Sequence, residues 1–356
     1  MVKRAEKRKK RDRVCCEFFF FFLLCGNNTA HNTASKQAMS VFERLSRGGN
    51  RTGGETSGNG SASTSTSASA KATPAPIREW RLSDFEIGRR LGRGKFGKVY
   101  VAREKRSGFV CALKVLRRTE VARYRVERQV VCELEVQRRL SGQCAHLVSL
   151  HAWFCDNHGI YLVLEYAPGG ELYAAMLRQP QQRLPVAVAL QVVLDVALGV
   201  QHLHAHGVAH RDVKPENVLL ATDAESGRLV AKLADFGWAA LPSPNGGSAR
   251  RTTLCGTLDY LAPESVCGRP HGCGVDVWAL GVLLYELLVG RPPFEAPSAD
   301  ATHRRIAEGV YELQHLPRTA HTLLARTLCV DTEKRAAIDE TVVLLQKALA
   351  ETQQQH

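Results

Sequence analysis

Between two apolar stretches the chain reads HRDVKPENVLL, His210 to Leu220. Within six residues it sets a carboxylate (Asp212), an ammonium (Lys214) and an amide (Asn217). Read alone, this is a polar loop between a helix and a strand. Three further residues turn it into a set: Asp235 at the end of the strand-like RLVAKLA, Lys114 in CALKVL, and Glu133 nineteen residues beyond Lys114. Together they suit chemistry at a phosphoryl group. Asp212 would orient and deprotonate an attacking hydroxyl, and Lys214 would neutralise the transferring γ-phosphate. Asn217 and Asp235 offer the hard oxygens that Mg²⁺ requires. Lys114 would fix the α- and β-phosphates of ATP, and Glu133 would hold Lys114. In isolation Glu133 reads as a solvated helix carboxylate, with Glu135 close by; the order of the whole set singles it out.

A phosphate cradle is also present. Leu91 to Tyr100 reads LGRGKFGKVY, in which Gly92, Gly94 and Gly97 spell G-x-G-x-x-G. Glycines let backbone N–H groups approach phosphates closely. Gly92 to Lys98 nearly matches a P-loop, but Val99 stands where that motif needs a Ser or Thr to hold the metal. A dinucleotide fold would need a helix after the glycines, whereas KVYVARE alternates like a strand. What fits is a glycine-rich turn between antiparallel strands, lying over a nucleotide or serving as a plain hairpin.

The elements needed to position these residues fall into two groups. Residues 82–165 read as strands over Phe85–Leu91, Lys98–Glu104, Val110–Leu116, Leu147–Cys155 and Ile160–Glu165. One helix interrupts them, over Glu120–Leu140, with Val126, Val130, Leu134 and Leu140 at helical spacing. Residues 171–349 read mostly as helices. Among them Val275–Val289 is apolar all round except for Asp276 and Glu286, which marks a core helix too short to span a bilayer. The expected fold is α+β and bilobal: a small β-rich lobe with one helix, then a larger helical lobe.

Outside residues 82–349 the composition changes. Residues 46–79 are dominated by Gly, Ser, Thr and Ala and are expected to be a disordered linker; the polar tail 350–356 is expected to fray. Residues 1–45 form a basic leader. KRAEKRKKRDR followed by FFFFFLLC resembles a signal peptide, although the basic run also suits a nuclear address. A third reading starts translation at Met39, leaving residues 1–38 unmade. Those 38 residues hold nine Lys/Arg against three Asp/Glu, about half of the formal charge of +13. The remainder is mildly basic, and neither direct nucleic-acid binding nor a membrane partner is expected. The 11 cysteines are scattered without a CxxC pair, which suits reduced thiols in the cytosol or nucleus over a disulfide framework.

With the glycine loop, Lys114, Glu133, HRDxKxxN, Asp235-Phe236-Gly237, Ala262-Pro263-Glu264 and Asp276 in order, residues 82–349 resemble a eukaryotic protein kinase, and Lys214 resembles the serine/threonine class. DFEIGRRLGRGKFGKVYVARE, LVLEYAPGGELY, DFGW, RRTTLCGTLDYLAPE and GVLLYELLVGRPPFEA resemble the Aurora family in particular. Trp238 after the DFG is not usual in the neighbouring cyclic-nucleotide-dependent and polo-like kinases, and Gln137 also resembles the Aurora pattern. Glu171 resembles the Aurora B side of the family.

The resemblance implies an ATP- and Mg²⁺-dependent serine/threonine protein kinase. It implies that Glu165–Ala167 bonds adenine through its backbone, that Leu164 guards the back of the pocket and that Leu91, Val99, Ala112 and Leu219 enclose the ring, with Glu171 near the ribose. It implies activation by phosphorylation of Thr253, with Thr252 beside it, the phosphate pairing with Arg211 and Arg251. Where the family usually has an Arg before the helix glutamate, this chain has Cys132, and Ala336 replaces the usual Pro after Arg335. Arg335 is expected to pair with Glu264. Glu171, Glu216 and Glu286 match positions that meet arginines preceding the target residue, and the chain's own Arg250 and Arg251 precede Thr253 in that way. Implied partners are Arg-rich protein substrates such as the histone H3 tail and an activator such as the inner centromere protein on the small lobe. Implied locations are nucleus, cytoplasm, chromosomes and spindle. Two other readings are a catalytically silent kinase-fold scaffold and a small-molecule kinase. No catalytic position is degraded, and the complete stretch from Asp235 to Glu264 suits a protein substrate.

Overall fold

The computed structural model describes residues 80–94, 97–223, 227–241, 257–314 and 316–354. The leader, Met39, the linker, Arg251, Thr252 and Thr253 lie outside the described residues.

Apolar stretches rich in strand-forming residues between Phe85 and Leu164 build one antiparallel sheet. Its strands are β1 (Phe85–Gly94), β2 (Gly97–Glu104), β3 (Val110–Arg117), β4 (Leu150–Cys155) and β5 (Gly159–Leu164), in the order β1-β2-β3-β5-β4. On one face Phe85, Phe154 and Tyr161 stack in sequence. On the other, Leu116, Ile160 and Leu162 pack against the helical segment between β3 and β4. Gly97 is required by this packing: a Cβ there would lie 2.5 Å from the Val115 carbonyl oxygen. Part of the glycine pattern therefore serves the sheet itself.

The single helix expected over 120–140 is two. α1 (Arg118–Tyr124) ends where Arg125 adopts a left-handed conformation, φ 53°, and α2 (Glu127–Leu140) begins two residues later. Arg125 is a non-glycine C-cap; its N–H bonds the Ala122 carbonyl, and Val126 remains buried at the corner. The fourth strand is also shorter than expected, because Leu147 bridges Leu233 in the other lobe and Val148 donates to the Leu233 carbonyl at 3.0 Å.

The second lobe comprises a small sheet, β6 (Gly170–Glu171), β7 (Val218–Thr222) and β8 (Leu229–Leu233), with α3 (Leu172–Leu177), α4 (Val186–Ala205), α5 (Pro263–Val266), α6 (Gly274–Val289), α7 (Ala299–Glu308), α8 (Arg318–Thr327) and α9 (Ile338–Gln354). α4 is long and apolar enough to cross a membrane, but it lies in the lobe's core, packed against α6, α9 and β8. α6 is the innermost, with Trp278, Val282, Leu283 and Leu284 fully enclosed. α9 extends into the tail as far as Gln354; within it Thr352 is buried and its hydroxyl donates to the Ala348 carbonyl.

Candidate active site

β7 and β8 bring the two ends of the candidate machinery side by side. The loop from His210 precedes a short helical turn, Pro215–Asn217, which leads into β7; β8 runs straight into Asp235. Within the loop Asp212 is 7% exposed. Lys214 Nζ lies 3.0 Å from Asp212 Oδ1 and 2.9 Å from Oδ2, and Asn217 Nδ2 donates to Asp212 Oδ2 at 2.8 Å. The Asn217 amide also donates to the Asp212 carbonyl at 2.8 Å. Its N–H groups are therefore committed to Asp212, which leaves its carbonyl oxygen as the group suited to a hard cation.

Asp276 holds this loop in place. Its carboxylate, fully buried, accepts from His204 Nε2 (2.7 Å), His210 N (2.8 Å) and Arg211 N (2.7 Å). Arg211 has φ 70° and Asp235 φ 62°, a region that costs a non-glycine residue about 1–3 kcal/mol. The bonds to Asp276 stabilise the first of these. Burial alone would raise the Asp276 carboxyl, but the bond from His204 and the surrounding positive groups outweigh it and keep it below the usual carboxylate range. His210, fully buried, packs edge-on against Phe236 and bonds the Ala234 carbonyl, so loop and DFG share one support.

Across the cleft, Lys114 Nζ lies 2.5 Å from Glu133 Oε1 and 3.6 Å from Asp235 Oδ1. Burial would lower the Lys114 ammonium; Asp235 and Glu133 together outweigh that and hold it above its ordinary value. Lys114 in turn holds the Asp235 carboxyl below its usual range, against burial. Both groups therefore stay charged at neutral pH.

Between these clusters lies an apolar slot. Ala112 and Leu164 are buried, and Leu91, Val99 and Leu219 pack against the same cluster. Ala167 is buried in the connection from β5 to β6. Glu165 already spends its N–H on the Ser149 carbonyl. Glu171 stands at the mouth, where a Cβ on Gly92 would lie 3.5 Å from its Oε1; Gly94 is paired in register with Gly97. Burial, then Glu216, pushes the Glu171 carboxyl up.

A second acidic group lies on the far side of the loop. Glu286 is buried, accepts a hydrogen bond from the Tyr260 hydroxyl, and feels the charges of Glu216, Asp259 and Glu295. Burial and those charges push its carboxyl up to about 7. Below it, Arg335 makes a bidentate bond to Glu264, 2.7 and 2.8 Å, while its guanidinium covers Trp278. Ala336, at the position of the usual Pro, is buried beside it.

The structure also gathers residues that the sequence reading did not single out. Thr257 Oγ1 accepts from Lys214 Nζ at 3.0 Å and ties the activation segment to the loop; its only sequence signal was a Gly-Thr near the candidate phosphosites. His204 is the second, marked by nothing but its distance from the HRD. His271 is the third: its Nε2 faces the Arg211 guanidinium at 3.4 Å, beside a cavity of about 20 Å³, enough for one water. Cys132, in the place of the usual Arg, puts its Sγ 3.0 Å from the Ala239 carbonyl.

Comparison with known proteins agrees with this geometry. Residues 85–344 match the protein kinase domain family. An Aurora kinase of Schizosaccharomyces pombe is 44% identical over 267 residues, covering 74% of this chain and 72% of the relative. Aurora kinase C of Mus musculus is 41% identical over 74% of this chain and 92% of its own length. Aurora kinase A-A of Xenopus laevis is 45% identical over 67% of this chain, although only 55% of that relative is spanned. The chain belongs to the Aurora family of protein kinases. It is a serine/threonine protein kinase, and the family uses ATP with a divalent metal. An oxygen-only donor pair from Asn217 and Asp235, beside a protonated lysine, is compatible with such a metal and with nucleotide phosphates.

Proposed function

We propose that this Aurora kinase transfers the γ-phosphate of Mg·ATP to Ser or Thr in proteins that carry arginines ahead of the target residue. The reading is carried by one observation: Asp212 is gripped by Lys214 and Asn217 on a loop braced by Asp276. Asp212 orients the hydroxyl and takes its proton, and Lys214 neutralises charge on the transferring group. Lys114, set by Glu133, positions the α- and β-phosphates. Mg²⁺ held by Asn217 and Asp235 would supply further charge neutralisation on the phosphate oxygens. The base enters between Leu91, Val99, Ala112, Leu164 and Leu219, its edge meeting the Glu165 carbonyl and the Ala167 N–H, with Gly92, Gly94 and Gly97 over the phosphates and Glu171 beside the ribose.

On the substrate side, Glu171, Glu216 and Glu286 form an acidic rim that is complementary to guanidinium groups. The histone H3 tail is a substrate of suitable charge. Thr253, preceded by Arg250 and Arg251, is itself such a site, so activation by trans autophosphorylation follows, with Thr252 as its neighbour and Arg211 and Arg251 as phosphate partners. An activating protein of the inner centromere type on the small lobe, and action in chromosome segregation, spindle function and cytokinesis, are part of the same proposal.

The test is transfer of radiolabelled phosphate from Mg·ATP to a histone H3 tail and to an Arg-rich peptide, comparing the intact chain with Asp235→Asn. Labelling that disappears in the variant supports the reading. No labelling by the intact chain, with Thr253 phosphorylated and an activating partner present, would favour a silent kinase-fold scaffold.

A further inference from the structure

Glu165, in the 165–167 segment between β5 and β6 (the hinge), has a partner that nucleotide binding, as proposed above, does not use. Lys232 sits on β8, three residues before Asp235, and is paired in register with Leu219 of β7. Cross-strand partners share a face of a sheet, so its stem lies beside Leu219 on the face that lines the apolar slot. Its ammonium reaches Glu165 Oε1 at 2.8 Å, with the two side chains 15% and 25% exposed. Glu165 Oε2 accepts from Ser149 N at 3.2 Å, while Glu165 N donates to the Ser149 carbonyl at 2.8 Å. Ser149 follows Val148, whose N–H is bonded to Leu233 of β8. The hinge, the 146–149 connection and β8 therefore form one closed ring of bonds, and the Lys232–Glu165 ion pair is its only side chain–side chain tie among these residues.

We propose that Lys232 is a positioning residue for the adenine base. Through Glu165 it fixes the hinge backbone at the distance from Leu219 that an adenine ring needs, and it couples that distance to the strand that carries Asp235. A shielded charge-assisted bond of this kind is strong enough to matter, and a hinge free to drift weakens base contacts while leaving the phosphate and peptide sites intact. The inference rests on the reading of residues 165–167 as the adenine-binding segment.

The experiment measures KM for ATP, KM for an Arg-rich peptide, kcat, and inhibition constants for adenosine and for inorganic tripolyphosphate, in the full chain and its variants. Lys232→Met is expected to raise the ATP KM and the adenosine inhibition constant together, by about tenfold. Peptide KM, kcat and the tripolyphosphate constant should stay within about twofold, and Lys232→Arg should recover most of the loss. Glu165→Gln combined with Lys232→Met should be no worse than either change alone, as members of one pair behave. Ala167→Pro, which deletes the hinge N–H, checks the underlying reading. If it leaves the ATP KM unchanged, that reading fails. If it raises the ATP KM while Lys232→Met does not, or if Lys232→Met depresses kcat and both KM values alike, the positioning role is overturned.

Discussion

Asp276 and Glu286 stand ten residues apart on α6, one in its first turn and the other in its last. Both are buried, and their surroundings are opposite. Asp276 collects three donors and sits where the helix dipole favours negative charge. Glu286 sits where the dipole opposes it, with one phenolic donor and three carboxylates around it. The first is a completed carboxylate whose charge the fold consumes. The second keeps a raised carboxyl with a single side-chain donor, and in the proposed function a substrate guanidinium completes it. One helix thus braces the loop from His210 at one end and, in the function proposed above, receives a substrate guanidinium at the other.

Breaking the completed carboxylate should have the larger effect. Asp276→Ala strands His204 and two backbone N–H groups, so urea unfolding should show a loss of about 3–5 kcal/mol, with phosphate transfer abolished. Removing charge at Glu286 should spare the fold. Glu286→Gln should keep full stability at neutral pH yet reduce kcat/KM for a peptide with arginines at −3 and −2 by about 30-fold, with little effect on a peptide carrying alanines there. Thr257→Val tests the brace between these ends. It removes one acceptor from Lys214, and a fall in kcat of about tenfold with unchanged ATP KM is expected.

The smallest effect is on stability against pH. A carboxyl raised in the folded state adds stability that is fully present below its unfolded value near 4.5 and is lost as pH rises through about 7. Thermal unfolding of Glu286→Gln should therefore match the intact chain near pH 5 and exceed it by a few degrees at pH 8. The opposite order would remove the contrast between the two residues.

Much of this site was legible in the sequence because its chemistry is local or ordered along the chain. Asp212, Lys214 and Asn217 lie within six residues, with Lys214 and Asn217 both bonded to Asp212, and Lys114 finds Glu133 only nineteen residues further along the chain. The bidentate Arg335–Glu264 pair could be expected only from the family pattern. Other features depend on long-range packing that no spacing announces. Thr257 reaches Lys214 from 43 residues away, and Lys232 reaches Glu165 from β8, far along the chain. The break at Arg125 was hidden because Val126 keeps helical spacing with Val130 and Leu134, and a positive φ at an arginine leaves no mark in the sequence. The tail looked polar enough to fray, but Thr352 satisfies its hydroxyl within the helix and packs inward.

The most direct test of this account is the ratio of kcat/KM for the arginine peptide to that for its alanine counterpart, followed from pH 6 to 8. In the intact chain the ratio should climb as Glu286 ionises, with its midpoint at about pH 7 and its plateau approached by pH 8, and in Glu286→Gln it should be low and flat. A ratio that is independent of pH and survives Glu286→Gln would contradict the account.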